Sequence, residues 1–443
     1  MDTTQHSNKG DISRRRFLKQ SAGAGAVFAV SPHPSRAFAA PASNPSQEKD
    51  RVTLLLITGW ATHNIGDIGH TPGTLRYLEE HFPEAHVICW MHAFNAEILS
   101  MLRQRFPDVE LVEGGDIDEN GEASTPELQA AFDEADFVIQ NSGMSYNRFW
   151  APPVRWAKAS LEHGKHFGHY GQSFDGFREE DRDTTPDLLS NLDFIFCRDN
   201  ESLLCLRSAG VTTPILEFGP DGCFGVDVRD EAAAEEFMDT HQLEPRKFLA
   251  VILRTDKYED LDPDDPLQDV PGGPEEWSAK LREVMEHWVR GTGLPVVIVP
   301  EVEKEIEPAK ELLLERLPED VQSKVVHRET FWNVDEAVSF YARAHALVSV
   351  EPHSCIMALA AGTPAIHFFT RHHGYKAWMF RDIGLPEWLI SLDDEPPERV
   401  ISALERIRDT YALAQRKAER AMDFVHARSA EMIGDIKRIA QEG

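Results

Sequence analysis

The chain has 443 residues, enough for two or three domains at roughly 150 residues each. Lys and Arg number 45 against 75 Asp and Glu, and the net charge of −30 argues against nucleic acid or an anionic membrane as the main partner. With 42% hydrophobic and 9% aromatic residues the chain can build sizeable cores, and beyond the N-terminal region no apolar run reaches the ~18 residues that span a bilayer.

Residues 1–39 read as an export signal. Ser13-Arg14-Arg15-Arg16-Phe17-Leu18-Lys19 precedes a weakly apolar run, Ala22 to Val30, and then the small-residue site Ala37-Phe38-Ala39. The paired arginines resemble a twin-arginine motif, which implies the Tat export machinery as a partner and a folded, periplasmic or extracellular product. Residues 40–50 read as a flexible lead-in. The five cysteines are odd in number and widely spaced, which fits buried thiols better than a disulfide framework or a zinc site.

From Val52 onward, short apolar runs alternate with amphipathic stretches. Val52–Thr58 reads as a buried strand, followed by a loop to His70 and a helix from Thr74 to His81. Further strands are expected at His86–Trp90, Val109–Glu113, Asp136–Gln140, His166–Tyr170 and Asp193–Cys197, with helices at Glu97–Arg105, Pro126–Glu134 and Val154–Glu162. Strands spaced by such helices form a parallel sheet buried on both faces. The pattern breaks over residues 229–246, read as a linker helix. A second series begins at Phe248–Leu253, with strands at Pro295–Val299, Lys324–His327, Ala346–Val350 and Ala365–Phe369. The reading is therefore an α/β protein: two Rossmann-like domains, residues 51–228 and 247–395, facing a cleft, with a helical C-terminal tail over residues 396–443.

Ligands of such sheets sit at the carboxyl ends of the strands, so the strand-end segments carry the candidate residues. The first is Asn64-Ile65-Gly66-Asp67-Ile68-Gly69-His70, where glycines permit close approach and polar groups crowd one strand end. Asn64 and Asp67 also read as turn and helix caps. The segments holding Asn141 and Gln172 end at the same edge. Arg198, opening Arg198-Asp199-Asn200-Glu201-Ser202, suits an anion through its forked guanidinium. In the second half, Arg254 follows the first strand and precedes a Pro/Gly/Asp-rich loop over residues 259–274. His353 lies at a helix start and can act as a general acid. Arg371-His372-His373-Gly374-Tyr375-Lys376 gathers cationic groups suited to phosphate or carboxylate. No metal motif of the H-E-x-x-H or C-x-x-C kind occurs, and no nicotinamide or other cofactor is expected.

In order, these pieces resemble the polysaccharide pyruvyl transferase family: Asn64-Ile65-Gly66-Asp67, Arg198-Asp199-x-x-Ser202 with Gly210, Gly219-Pro220-Asp221, His353-Ser354 with Ala358 to Pro364, and Gly374-Tyr375-Lys376 with Ile383-Gly384-Leu385. The resemblance implies a glycosyltransferase-B-like fold and transfer of a pyruvyl group from phosphoenolpyruvate to a sugar as a ketal. It also implies His353 and Arg198 as catalytic residues, a small anionic donor and a polysaccharide acceptor. Glu351 departs from the family pattern, which carries Arg two residues before the histidine. A non-catalytic exported glycan-binding protein, or a transferase with another donor, remain alternative readings.

Overall fold

The computed structural model describes residues 51–146, 153–256 and 270–442. The expected signal and lead-in and most of the 259–274 loop lie outside them.

Two parallel sheets form the frame. The first contains β1 (Thr53–Thr58), β2 (His86–Met91), β3 (Glu110–Glu113), β4 (Phe137–Gln140), β5 (Gly143–Tyr146), β6 (His166–Phe174), β7 (Phe194–Cys197) and β8 (Ile215–Phe218). Its order is β3-β2-β1-β4-β6-β7-β8, with β5 paired to β6. The second contains β9 (Leu249–Ile252), β10 (Val296–Ile298), β11 (Val325–His327), β12 (Ala346–Ser349), β13 (Ala365–Phe369) and β14 (Leu389–Ser391), in the order β11-β10-β9-β12-β13-β14. Helices cover both sheets, so central strands such as Thr53–Thr58 are buried at every position. In each sheet the order reverses between the first strand and its later neighbour, β1 beside β4 and β9 beside β12. A crevice opens at the carboxyl ends of such a switch point.

The first helix departs from the sequence reading. It starts at Ile65, not Thr74, and runs to His81 with Pro72 inside it. Asn64 caps it, its side chain accepting from Gly66 N at 2.9 Å. Gly66, Gly69 and Gly73 look like breakers in the sequence, yet they serve close approach. A Cβ on Gly73 would stand 1.9 Å from the Gly222 carbonyl oxygen, and one on Gly66 would stand 2.5 Å from the His353 ring. β6 also runs past Tyr170 to Phe174, through a register shift between His169 and Gln172 where Gly171 adopts φ +63°. The short strands β5 and β14 and the helix Thr184–Ser190 were not expected from the sequence.

Two connections among those that join the halves lie beside the strand ends and in the tail. Ile65 N donates to the Glu301 carbonyl and Glu303 N to the His63 carbonyl, each at 2.9 Å, closing a one-residue antiparallel bridge between Asn64 and Val302. The tail forms helices Glu398–Asp409 and Tyr411–Glu442. The second returns to the first sheet, where Tyr77 Oη meets His426 Nδ1 at 3.0 Å and Arg428 donates to the Phe218 carbonyl at 2.7 Å. The five cysteines are free thiols, four of them buried. No helix among the described residues is long and apolar enough to cross a membrane.

Candidate active site

A cavity of about 330 Å³ opens where the two switch points face each other. The first half contributes Asn64, Asp67 and His70 from the helix after β1, Gly143 and Met144 beyond β4, and Arg198 after β7. The second contributes Arg254 and Asp256 after β9, Glu351 and His353 after β12, and His372, His373 and Lys376 after β13.

The Arg198-Asp199-x-x-Ser202 turn explains itself residue by residue. Asp199 caps the helix Asn200–Ser208, accepting from Ser202 N at 2.7 Å. Ser202 Oγ accepts from Phe174 N at 2.8 Å, which ties the turn to β6. Arg198 is thereby aimed inward and is 1% exposed. Its Nε donates to Ser173 Oγ at 2.8 Å and its Nη1 to Asp221 Oδ2 at 2.6 Å.

Asp221 is the hub of the floor. His70 Nε2 lies 3.3 Å and His353 Nε2 3.9 Å from its Oδ2, and Arg198 Nη1 lies 3.4 Å from His353 Nε2. Burial alone would raise the Asp221 carboxyl, but His70, Arg198 and His353 hold it well below the usual carboxylate range. Burial lowers the His70 imidazole, against the pull of Asp221. On its other side His353 meets Glu301, with Nδ1 3.3 Å from Oε1. Glu301 is itself anchored: it accepts from Ser354 N at 2.7 Å and Ser354 Oγ at 2.6 Å. His353 thus sits between a carboxylate and a guanidinium–carboxylate pair, a setting that fixes the ring.

The cationic side of the cavity is partly self-compensated. Glu351 is 2% exposed; Lys376 Nζ reaches its Oε2 at 2.8 Å and Arg254 Nε lies 3.5 Å from Oε1. Burial would raise Glu351, but Lys376, Arg254 and His373 hold it well below the usual range. Burial takes His373 down to about 4. Arg254 also pairs with Asp256, while its Nη1 has no hydrogen-bond partner among the described residues.

The structure therefore brings together Asn64, Asp67, His70, Arg198, Arg254, His353 and Lys376. Four other candidates stand apart from the cavity lining. Gly66 makes room for His353. Asn141 ties the end of β4 to the helix Ile65–His81, accepting from Thr74 Oγ1 at 2.7 Å and donating to the His70 carbonyl at 3.0 Å. Gln172 holds the Asn141 carbonyl and Ser145 N. Arg371 is half exposed and turned to Asp393 and Asp394. The sequence reading did not single out Glu301 or Asp256, and it met Asp221 only inside a motif. All three follow strands, so the strand-end rule that found Arg254 reaches them too.

Among the described residues, two groups bring metal-ligating atoms within 4.8 Å of one another: His70, Asp221, Cys223 and His353; and Glu301, Glu351 and His353. In the first, Arg198 already balances Asp221. In the second, Lys376 and Arg254 already balance Glu351. A divalent ion would have to displace these cations, so neither group is an uncompensated cradle.

Comparison with solved structures places the frame. Medicago truncatula UGT71G1 complexed with UDP-glucose superposes with a TM-score of 0.53 at 12% identity, over 89% of this chain and 100% of that one. Anabaena HepE in complex with UDP and glucose gives 0.52 at 11%, over 88% and 99%. Neisseria meningitidis UDP-GlcNAc 2-epimerase gives 0.51 at 12%, over 87% and 100%. At these identities the likeness concerns the fold alone, which is glycosyltransferase-B-like. No curated protein sequence matches the chain. The polysaccharide pyruvyl transferase family model matches residues 64–373, from the Asn64 cap through His353 to the His372-His373 turn. With that match spanning most of its length, the chain belongs to the polysaccharide pyruvyl transferase family.

Proposed function

We propose that this protein is an exported transferase that moves a pyruvyl group from phosphoenolpyruvate, or a related donor, onto a sugar of a surface polysaccharide. The observation that carries the reading is the convergence of Arg198, Arg254 and Lys376 on one cavity around the buried His353. In ketal formation the methylene carbon of the donor takes a proton and becomes the methyl group. Two sugar hydroxyls bond to the neighbouring carbon and release their protons, and the phosphate departs with the bridging oxygen. His353 delivers the proton to carbon, and Glu301 steadies the ring as its charge changes. Arg198 and Arg254 hold the anionic groups of the donor, Arg254 through its unpartnered Nη1. Asn64, Asp67 and His70 line the same cavity and receive the acceptor hydroxyls.

Glu351 favours a second reading, a glycan-binding protein or a transferase with another donor. Its buried carboxylate already occupies Lys376 and Arg254 and competes with any incoming anion. Titrating purified protein with phosphoenolpyruvate while following the thermal midpoint separates the two. A donor that binds only the native state stabilises it by about 2.7 kcal/mol at a hundredfold excess over Kd. A saturating rise is expected, diminished by Arg254→Met. An unchanged midpoint at millimolar donor would favour the second reading.

A further inference from the structure

A second cavity, of about 240 Å³, lies at the same sheet edge but on the other face of the first sheet, lined by Trp60, Trp90, Gln140, Ser145, Arg155 and Trp156 among others. Successive residues of a strand face opposite ways, so Gln140 looks into this cavity while Asn141 braces the active-site side. The start of β5 borders both. Gly143 and Met144 line the first cavity and Ser145 the second.

Two of its polar side chains are unfinished, while Arg155 is paired with Asp116 at 2.7 Å. Gln140 is 1% exposed, and neither its Oε1 nor its Nε2 has a hydrogen-bond partner among the described residues. Trp156 is 2% exposed and its indole N–H is equally unpartnered. The other two indoles are satisfied: Trp60 Nε1 donates to the Ser142 carbonyl at 2.6 Å and Trp90 Nε1 to the Gly114 carbonyl at 2.7 Å. A buried amide with both ends idle, beside an idle indole N–H, is costly unless something completes it. What completes it must offer a donor and acceptors together and present an apolar face to aromatic walls. It must also be about the size of one ring, since the cavity falls below the ~300 Å³ of drug-sized pockets.

We propose that this cavity is a pyranose-binding subsite, in which a sugar lays a C–H face on the Trp60 wall and gives its hydroxyls to Gln140 and the Trp156 N–H. Ser145 and Arg155 stand within the same lining for the remaining hydroxyls. As an acceptor subsite it rests on the transferase reading, since residues of β5 line both cavities. As a sugar site it stands on its own residues.

The test is calorimetric titration of the full protein with methyl glucopyranoside, galactopyranoside and mannopyranoside, repeated for Gln140→Leu and Trp60→Ala. Binding of at least one pyranoside is expected, weakened about tenfold or more by each substitution. Gln140→Leu should keep or raise the thermal midpoint, because leucine fills the space of an unpaired amide. The phosphoenolpyruvate titration is run beside it. A donor shift without sugar binding overturns the subsite and leaves the transferase reading intact; sugar binding without a donor shift does the reverse. Pyranoside affinity unchanged in both variants, or a lowered midpoint in Gln140→Leu, would overturn the proposal.

Discussion

Replacing Arg198 with methionine is expected to abolish transfer and to cost about 3–5 kcal/mol of stability, the range for breaking one partner out of a buried ion pair. The size follows from Asp221, which is fully buried and whose closest cation is Arg198 Nη1 at 2.6 Å. The remaining neighbours are His70 and His353, at 3.3 Å and 3.9 Å. Without the guanidinium, only His70 and His353 oppose the burial of the carboxyl, which rises from its lowered value or stays charged at a larger cost. Adding Asp221→Asn to the methionine variant should restore much of the stability, since the unpaired charge is gone, but none of the activity. Chemical denaturation at constant slope reads the first effect, and a transfer assay the second. A loss below about 1 kcal/mol in the single variant would mean the pair is not the buried, dependent one described.

Mild acid is expected to destabilise the protein from about pH 6.5 downward through its buried histidines, opposed in part by Asp199, whose carboxyl burial raises to about 6 and which therefore gains stability as the pH falls. Burial pulls His169 and His367 down to about 3 and His373 to about 4. The His169 ring, for example, is enclosed by Tyr146, Phe167 and Phe174 at centroid distances of 4.9, 5.4 and 6.0 Å. The sign is fixed by linkage. Below pH 6.5 the unfolded chain takes up protons that these native imidazoles refuse, so stability is complete above 6.5 and falls as the pH drops toward the folded values. Each histidine costs roughly 1.4 kcal/mol per pH unit in that window, so the three together cost about 4. Against a typical total of about 5–15 kcal/mol, a histidine loss of about 4 kcal/mol per pH unit brings unfolding about one to four units below 6.5. His169→Phe should flatten the slope by about a third. A stability that stays level from pH 6.5 to pH 5 would show that these rings titrate normally.

The sheets were legible because parallel strands covered on both faces read as unbroken apolar runs, as in Thr53–Thr58 and Leu249–Ile252. The helix from Ile65 was not, because three glycines and Pro72 resemble breakers. Their reason lies in what packs against them, Gly222 and His353, more than a hundred residues away. Short strands such as Leu389–Ser391 are too brief to show a period. At the site, residues that follow strands were readable from position alone, and His353, Arg198 and Arg254 were found that way. What the strand-end rule does not tell is which of two neighbours turns inward, so Arg371 was chosen beside Lys376 although it faces Asp393. Pairing is equally invisible, because Glu301 finds His353 from 52 residues away and Asp221 finds Arg198 from 23.

The most direct measurement is turnover. Purified protein would be incubated with phosphoenolpyruvate and a panel of surface polysaccharides, with free phosphate and the methyl signal of a pyruvate ketal followed together by nuclear magnetic resonance. Equimolar appearance of both with at least one acceptor is expected, together with silence from a folded His353→Ala variant that still binds the donor. Phosphate release without a ketal, or a His353→Ala variant as active as the parent, would contradict the assignment of pyruvyl transfer to this site.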